Sequence, residues 1–205
     1  MPSVVMPEQP PFTLRARLLS PLPDADYLWL SDGVIEVDQA GRIRSLRAAA
    51  DAPRAAETAI DLRPLVVMPG LVDTHVHIPQ VPAAGLGAGM DLLAWLERYV
   101  FSLEHDFDVP AAEALAPQVY RAMAAAGTTT ISAYAAIWPD STEACFRAAA
   151  AHGIRATSGA VLRDRVTYDA RPAPGDILET AVRAWGELGA RWHGAGDARL
   201  RYAFT

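Results

Sequence analysis

Apolar and polar residues alternate from the first structured stretch of the chain. Phe12, Leu14, Ala16 and Leu18 are separated by Thr13, Arg15 and Arg17. That period of two puts the apolar set on one face of a strand. A Pro-rich break from Ser20 to Ala25 follows, and Tyr27 to Leu30 reads as a second short strand. Val34 to Val37, the turn residues Asp38 to Gly41 and then Arg42 to Arg44 have the pattern of a hairpin. Together these pieces predict a β-subdomain over 12–64, too small to bury much core alone. The Pro-rich residues 1–11 before it are expected to form a disordered extension.

The period then changes. Leu65 to Met68 is an unbroken apolar run, expected of a strand buried on both faces. Leu92, Leu93, Trp95, Leu96, Tyr99, Val100 and Leu103 recur at helical spacing. Pro110 opens the next helix, Ala112, Leu115, Val119, Tyr120 and Met123 form its inner stripe, and Gly127 ends it. Thr128 to Tyr134 is a β-branched strand. Ser141 is placed to cap a helix that runs to His152 and closes at Gly153. Ile154 to Leu162 is the next strand, Ile177 to Leu188 carries another helical stripe, and Leu200 to Thr205 begins a fourth strand.

Strand alternating with helix predicts an α/β fold, a parallel sheet with crossover helices. A (β/α)8 barrel averages about 250 residues, roughly 31 per unit, and the chain after Met68 has room for about four such units. The expected architecture is therefore the N-terminal part of a (β/α)8 barrel over 65–205, carrying a small N-terminal β-sandwich subdomain and truncated at its waist. Leu200 to Thr205 would then be an open apolar edge.

Composition narrows the chemistry. The chain has 205 residues, 18 basic against 24 acidic, and a formal net charge of −6. The acidic balance and the lack of a basic run argue against nucleic acid. No stretch reaches the roughly 18 consecutive apolar residues of a membrane helix, and the first residues lack a signal-peptide pattern. A single cysteine, Cys145, excludes an internal disulfide and a thiolate zinc cluster and suits a reducing cytoplasm. It also excludes zinc deaminases of the cytidine type, which need Pro-Cys-x-x-Cys. There is no lysine, so within this chain there is no Schiff-base lysine, no P-loop lysine and none to bridge two metal ions.

The residues that carry chemistry follow the Pro69-Gly70 step. In Asp73-Thr74-His75-Val76-His77 the two histidines are two apart, so in a strand they share a face with Cα atoms about 6.6 Å apart. Two imidazoles so placed can converge on one ion at about 2.0–2.1 Å. Asp73 shares their face and could orient one ring from behind. His105, His152 and His193 lack ligand spacing and read as helix-end or loop residues. Cys145, in an Ala-rich helix, reads as a small buried hydrophobe. Trp95 and Phe101 could line a pocket, but their helical spacing favours core packing.

The segment Met68 to His77, MPGLVDTHVH, resembles the first-strand signature of the amidohydrolase superfamily. Its continuation through Ile78-Pro79-Gln80, the helix Leu92 to Phe101, Glu104-His105 and Gly127 to Thr130 is similar to the guanine deaminases within it. That resemblance implies hydrolysis of guanine to xanthine and ammonia in the cytoplasm by a homodimeric enzyme with one Zn2+ per subunit. The zinc would lower the pKa of a bound water that attacks the amino-bearing carbon. By the same resemblance His75 and His77 are metal ligands, and Gln80 together with His77 meets the purine. Where such enzymes have a Gly-Lys third strand followed by Met-Asp, this chain has Gly159 to Asp164 without lysine. Another purine or a triazine therefore stays open as substrate. The further His, Asp and Glu of the family's site would lie beyond Thr205. On that ground the 205 residues alone are expected to be inactive, either as part of an enzyme or as a non-catalytic relic.

Overall fold

The computed structural model describes residues 5–162 and 174–205. It divides into two compact units, Met1–Pro69 and Gly70–Thr205.

In the first unit β1 (Phe12–Pro21), β2 (Tyr27–Val37), β3 (Ile43–Ala48) and β4 (Ile60–Val67) form one sheet in the order β3-β2-β1-β4. β1 pairs antiparallel with β2 and parallel with β4. The alternation of β1 buries Leu14, Ala16 and Leu18, which pack with Ile35 and Leu62. Two expectations change here. The separate strands over 27–30 and 34–37 are one continuous β2, bent by a register shift in its pairing with β1. Leu65 to Val67 belongs to β4 and is not a strand buried on both faces: Leu65 is 44% and Val66 46% exposed. An apolar run alone does not say whether its neighbours are sheet, helix or solvent. A short helix α1 (Pro53–Thr58) precedes β4, and its Ala56 packs with Val34 and Ala49.

In the second unit β5 (Leu71–His77), β6 (Thr128–Tyr134), β7 (Arg155–Gly159) and β8 (Leu200–Tyr202) lie in that order, every neighbouring pair parallel. Between β5 and β6 come a 3-10 segment (Ile78–Ala83), then α2 (Leu92–Trp95), a π-type turn (Leu96–Val100), α3 (Phe101–His105) and α4 (Val109–Ala125). α5 (Pro139–His152) joins β6 to β7, and α6 (Pro174–Trp192) precedes β8. The predicted crossover alternation is thus present, with sequential strands adjacent, as in one half of a barrel. Tyr120, Ile131, Phe146, Ala156 and Leu200 form the core between sheet and helices.

Local chemistry explains the helix ends. Asp108 caps α4 by accepting from the backbone N–H of Ala111 at 2.9 Å. Gly153 ends α5 in the left-handed region with φ 68°, where a Cβ is costly. α5 starts three residues earlier than expected: Trp138 takes the cap position, Pro139 opens the helix, and Ser141, inside the first turn, donates from Oγ to the Trp138 carbonyl at 3.0 Å. In α6 the stripe is only partly inward. Ile177, Ala181 and Leu188 are buried, while Val182 and Trp185 are exposed. The strand read from Ile154 to Leu162 is shorter, Arg155–Gly159, and of the segment Gly159 to Asp164 the last two residues lie outside the described residues.

Candidate active site

β5 ends in the two histidines. The backbone arrives there through Gly70, where a Cβ would stand 2.1 Å from Thr129 Oγ1 on the neighbouring strand. Glycine at this step lets β5 and β6 approach closely. Asp73 lies between: its Oδ1 accepts from the backbone N–H of His75 at 3.0 Å. The carboxylate therefore braces the main chain of the first histidine and, among the described residues, is found on no imidazole.

The alternation along β5 brings His75 and His77 together. Their ring centroids are 5.1 Å apart at an interplanar angle of 68°. Register sets the next contact. His77 is directly opposite Tyr134, the last residue of β6, and the rings stack at 4.4 Å and 7°. The same phenol ring meets His75 edge-on at 5.3 Å. Tyr134 thus covers one face of His77 and limits its rotation.

Past His77 the chain turns into the 3-10 segment, anchored by the buried Ile78 and Pro79, which seats Gln80. Gln80 Nε2 donates to Glu104 Oε1 at 2.8 Å. Glu104 comes from α3 and its side chain is 1% exposed. Its Oε1 also stands 3.5 Å from His77 Nδ1, a buried ring nitrogen without a hydrogen-bond partner. These groups border an open cleft of about 620 Å³, lined among others by His75, His77, Gln80, Leu86, Trp95 and Glu104. Trp95, read as core, is a wall of this cleft, held by its indole N–H donating to the Leu86 carbonyl at 3.0 Å. Phe101 is not part of that wall.

The other histidines stay apart from it. His105 Nδ1 lies 2.8 Å from Asp106 Oδ1, and His193 Nδ1 lies 3.1 Å from the Tyr202 carbonyl. His152 is exposed at the end of α5. Cys145 is buried, and burial pushes its thiol up to about 12, so it is no nucleophile. Among the described residues no group of three or more His, Cys, Asp or Glu is placed to hold a metal ion.

Tyr134 and Glu104 are residues to which sequence reasoning gave no role, although Glu104 stood in the stretch that carries the resemblance. Tyr134 carried a signal only in retrospect, as the end of a strand next to the histidine strand. Glu104 carried a clearer one. It follows Val100 by four residues and so shares that residue's inward face on the helix, a carboxylate on an apolar stripe.

Comparison with known proteins identifies the family and the fold. The profile of the Amidohydrolase family matches residues 66–192. A probable guanine deaminase of Deinococcus radiodurans is 36% identical over 194 residues, 90% of this chain and 42% of that protein. The guanine deaminase of Escherichia coli is 35% identical over 149 residues, 71% of this chain and 32% of that protein. The solved structure of the E. coli enzyme superposes with a TM-score of 0.77 at 27% identity, covering 93% of this chain and 45% of that one. A guanine deaminase from C. acetobutylicum, solved with guanine bound, has a TM-score of 0.80 at 24% identity and covers 95% and 45%, a likeness of fold. This chain spans less than half the length of these relatives. The profile match covers more than half of the chain and includes β5 with both histidines, and the chain belongs to the amidohydrolase family.

Proposed function

We propose that this chain carries the first-strand part of the active site of a zinc-dependent guanine deaminase. The observation that carries the reading is the convergence of His75, His77 and Gln80 on one cleft at the C-terminal end of a parallel strand. Active sites of barrel enzymes lie at that end.

The donor set fits zinc. Two imidazoles alternate on one strand with ring centroids 5.1 Å apart, and imidazole is an ordinary zinc ligand. The Nδ1 of His77 is buried without a hydrogen bond, an orphaned polar atom that burial penalises. A zinc site takes three or four ligands. The reading therefore assigns the remaining ones to sequence outside the described residues.

When bound, zinc supplies a water acidic enough to act as nucleophile near neutral pH. The chain's own residues do the rest. Asp73 braces the backbone that presents His75, and Tyr134 holds the plane of His77. Gln80 offers an amide to the edge of a neutral heterocycle, which needs both donors and acceptors from its site. Trp95 and Leu86 supply apolar wall to the cleft, as a planar aromatic ligand requires. The overall reaction, guanine and water to xanthine and ammonia, balances without any redox partner.

The test uses the full-length product of the gene, loaded with zinc. Xanthine and ammonia are expected in equal amounts from guanine. His75→Ala and His77→Ala are each expected to lower zinc content and to cut kcat/KM at least about a hundredfold. Wild-type protein that forms no xanthine, or alanine variants that keep both zinc and turnover, would overturn the proposal.

A further inference from the structure

We infer that Glu104 is a positioning residue whose single oxygen, Oε1, sets both the tautomer of His77 and the orientation of the Gln80 amide. The inference rests on the proposed function and deepens it. The motif assigns His77 and Gln80; nothing in it assigns Glu104.

Glutamate is almost never fully buried unless it is paired. Here the side chain is 1% exposed, and its Oε1 meets two site residues: Gln80 Nε2 at 2.8 Å and His77 Nδ1 at 3.5 Å. Gln80 turns its NH2 toward Glu104, which commits one N–H and leaves the amide oxygen as acceptor for a ligand. That polarity favours a heterocycle that presents an N–H donor to Gln80, as guanine can.

The same oxygen acts on His77. Which ring nitrogen carries the proton is set by the partner of the other nitrogen. A carboxylate facing Nδ1 favours the Nδ1–H form and so leaves the Nε2 lone pair for a metal. Outer carboxylates of this kind raise ligand basicity, and their loss commonly costs about 10–100-fold in metal affinity. Tyr134, stacked on the ring at 4.4 Å, holds the ring plane in which Nδ1 faces Glu104. One buried carboxylate thus links the metal side of the cleft to its substrate side.

The experiment compares wild type, Glu104→Leu and Glu104→Gln in the full-length gene product. Three readouts are used: zinc affinity by chelator competition, KM and kcat for guanine, and the 15N signals of the His77 ring in zinc-free protein. Wild type is expected to show His77 as the Nδ1–H tautomer. In Glu104→Leu the tautomers should mix, zinc affinity should fall about tenfold or more, and KM should rise more than kcat falls. Glu104→Gln keeps an acceptor oxygen without the charge and should lie between the two. A merely structural role would lower the folded fraction and leave the tautomer of the folded protein unchanged. If the leucine variant does not fold, the glutamine variant decides: a wild-type tautomer and wild-type zinc affinity there would overturn the inference. A wild type that deaminates guanine while the Glu104 variants match it overturns this inference alone. A wild type that neither binds zinc nor forms xanthine overturns the proposed function.

Discussion

Contacts converge on His77. Tyr134 covers one face of it, His75 meets it edge-on, and a buried carboxylate stands at its Nδ1. The spacing of His75 and His77 was legible in the sequence because strand alternation alone brings two such rings together, whereas Gln80 was marked by the resemblance of its motif. The roles of Tyr134 and Glu104 were not read, because each reaches the site through pairing or packing with a distant segment. At this scale Gln80→Ala is expected to raise the KM for guanine about tenfold with a smaller change in kcat, as loss of a hydrogen bond made in ground and transition state alike. Steady-state kinetics check it. Cys145 gives an independent check of burial. With its thiol pushed up to about 12, a thiol reagent at pH 8 should leave the folded protein unmodified and label it fully once unfolded.

At the level of elements, the strand and helix periods read most of the second unit correctly. Thr128–Tyr134 has the expected bounds, and α4 has the expected stripe and its Gly127 stop. Leu65 to Met68 misled because a short apolar run carries no information about which sheet will take it. Gly159, at the end of β7, is a place where packing dictates the residue: a Cβ there would lie 1.8 Å from the Ala203 carbonyl oxygen. Gly159→Ala is therefore expected to destabilise by about 1–3 kcal/mol, the cost of overpacking, measurable by urea denaturation.

The first sheet carries a pH signature. Arg63 and Arg15, through hydrogen bonds, hold Asp61 and Asp32 below the usual carboxylate range, and Ser45 with Arg47 does the same for Glu36. Carboxyl groups lowered on folding stabilise the fold above their unfolded values, and that gain is lost as pH falls through the folded ones. The melting temperature of the first unit is expected to be flat from pH 7 to about 5 and to drop below about pH 4. Asp32→Asn should shrink that drop. An unchanged drop in the variant would contradict the assignment.

For the whole molecule, the four parallel strands form an open sheet with β5 and β8 at its edges. Leu71 and Val72 on β5 are 51% and 62% exposed. Exposed apolar edges of this kind pair with other chains, so residues 1–205 expressed by themselves should self-associate with rising concentration in light scattering. They are also expected to release no ammonia from guanine, since the described residues place two imidazoles together and a zinc site takes three or four ligands. The alternation of strand and helix made this architecture legible. The sites that complete it depend on residues the described chain does not bring near β5.

The most direct measurement of the central claim is xanthine formation from guanine by the full-length gene product, with zinc content determined on the same samples. The account predicts turnover with about one zinc per chain in the wild type, and loss of both in His75→Ala and His77→Ala. Guanine turnover that persists in those variants without zinc would contradict it.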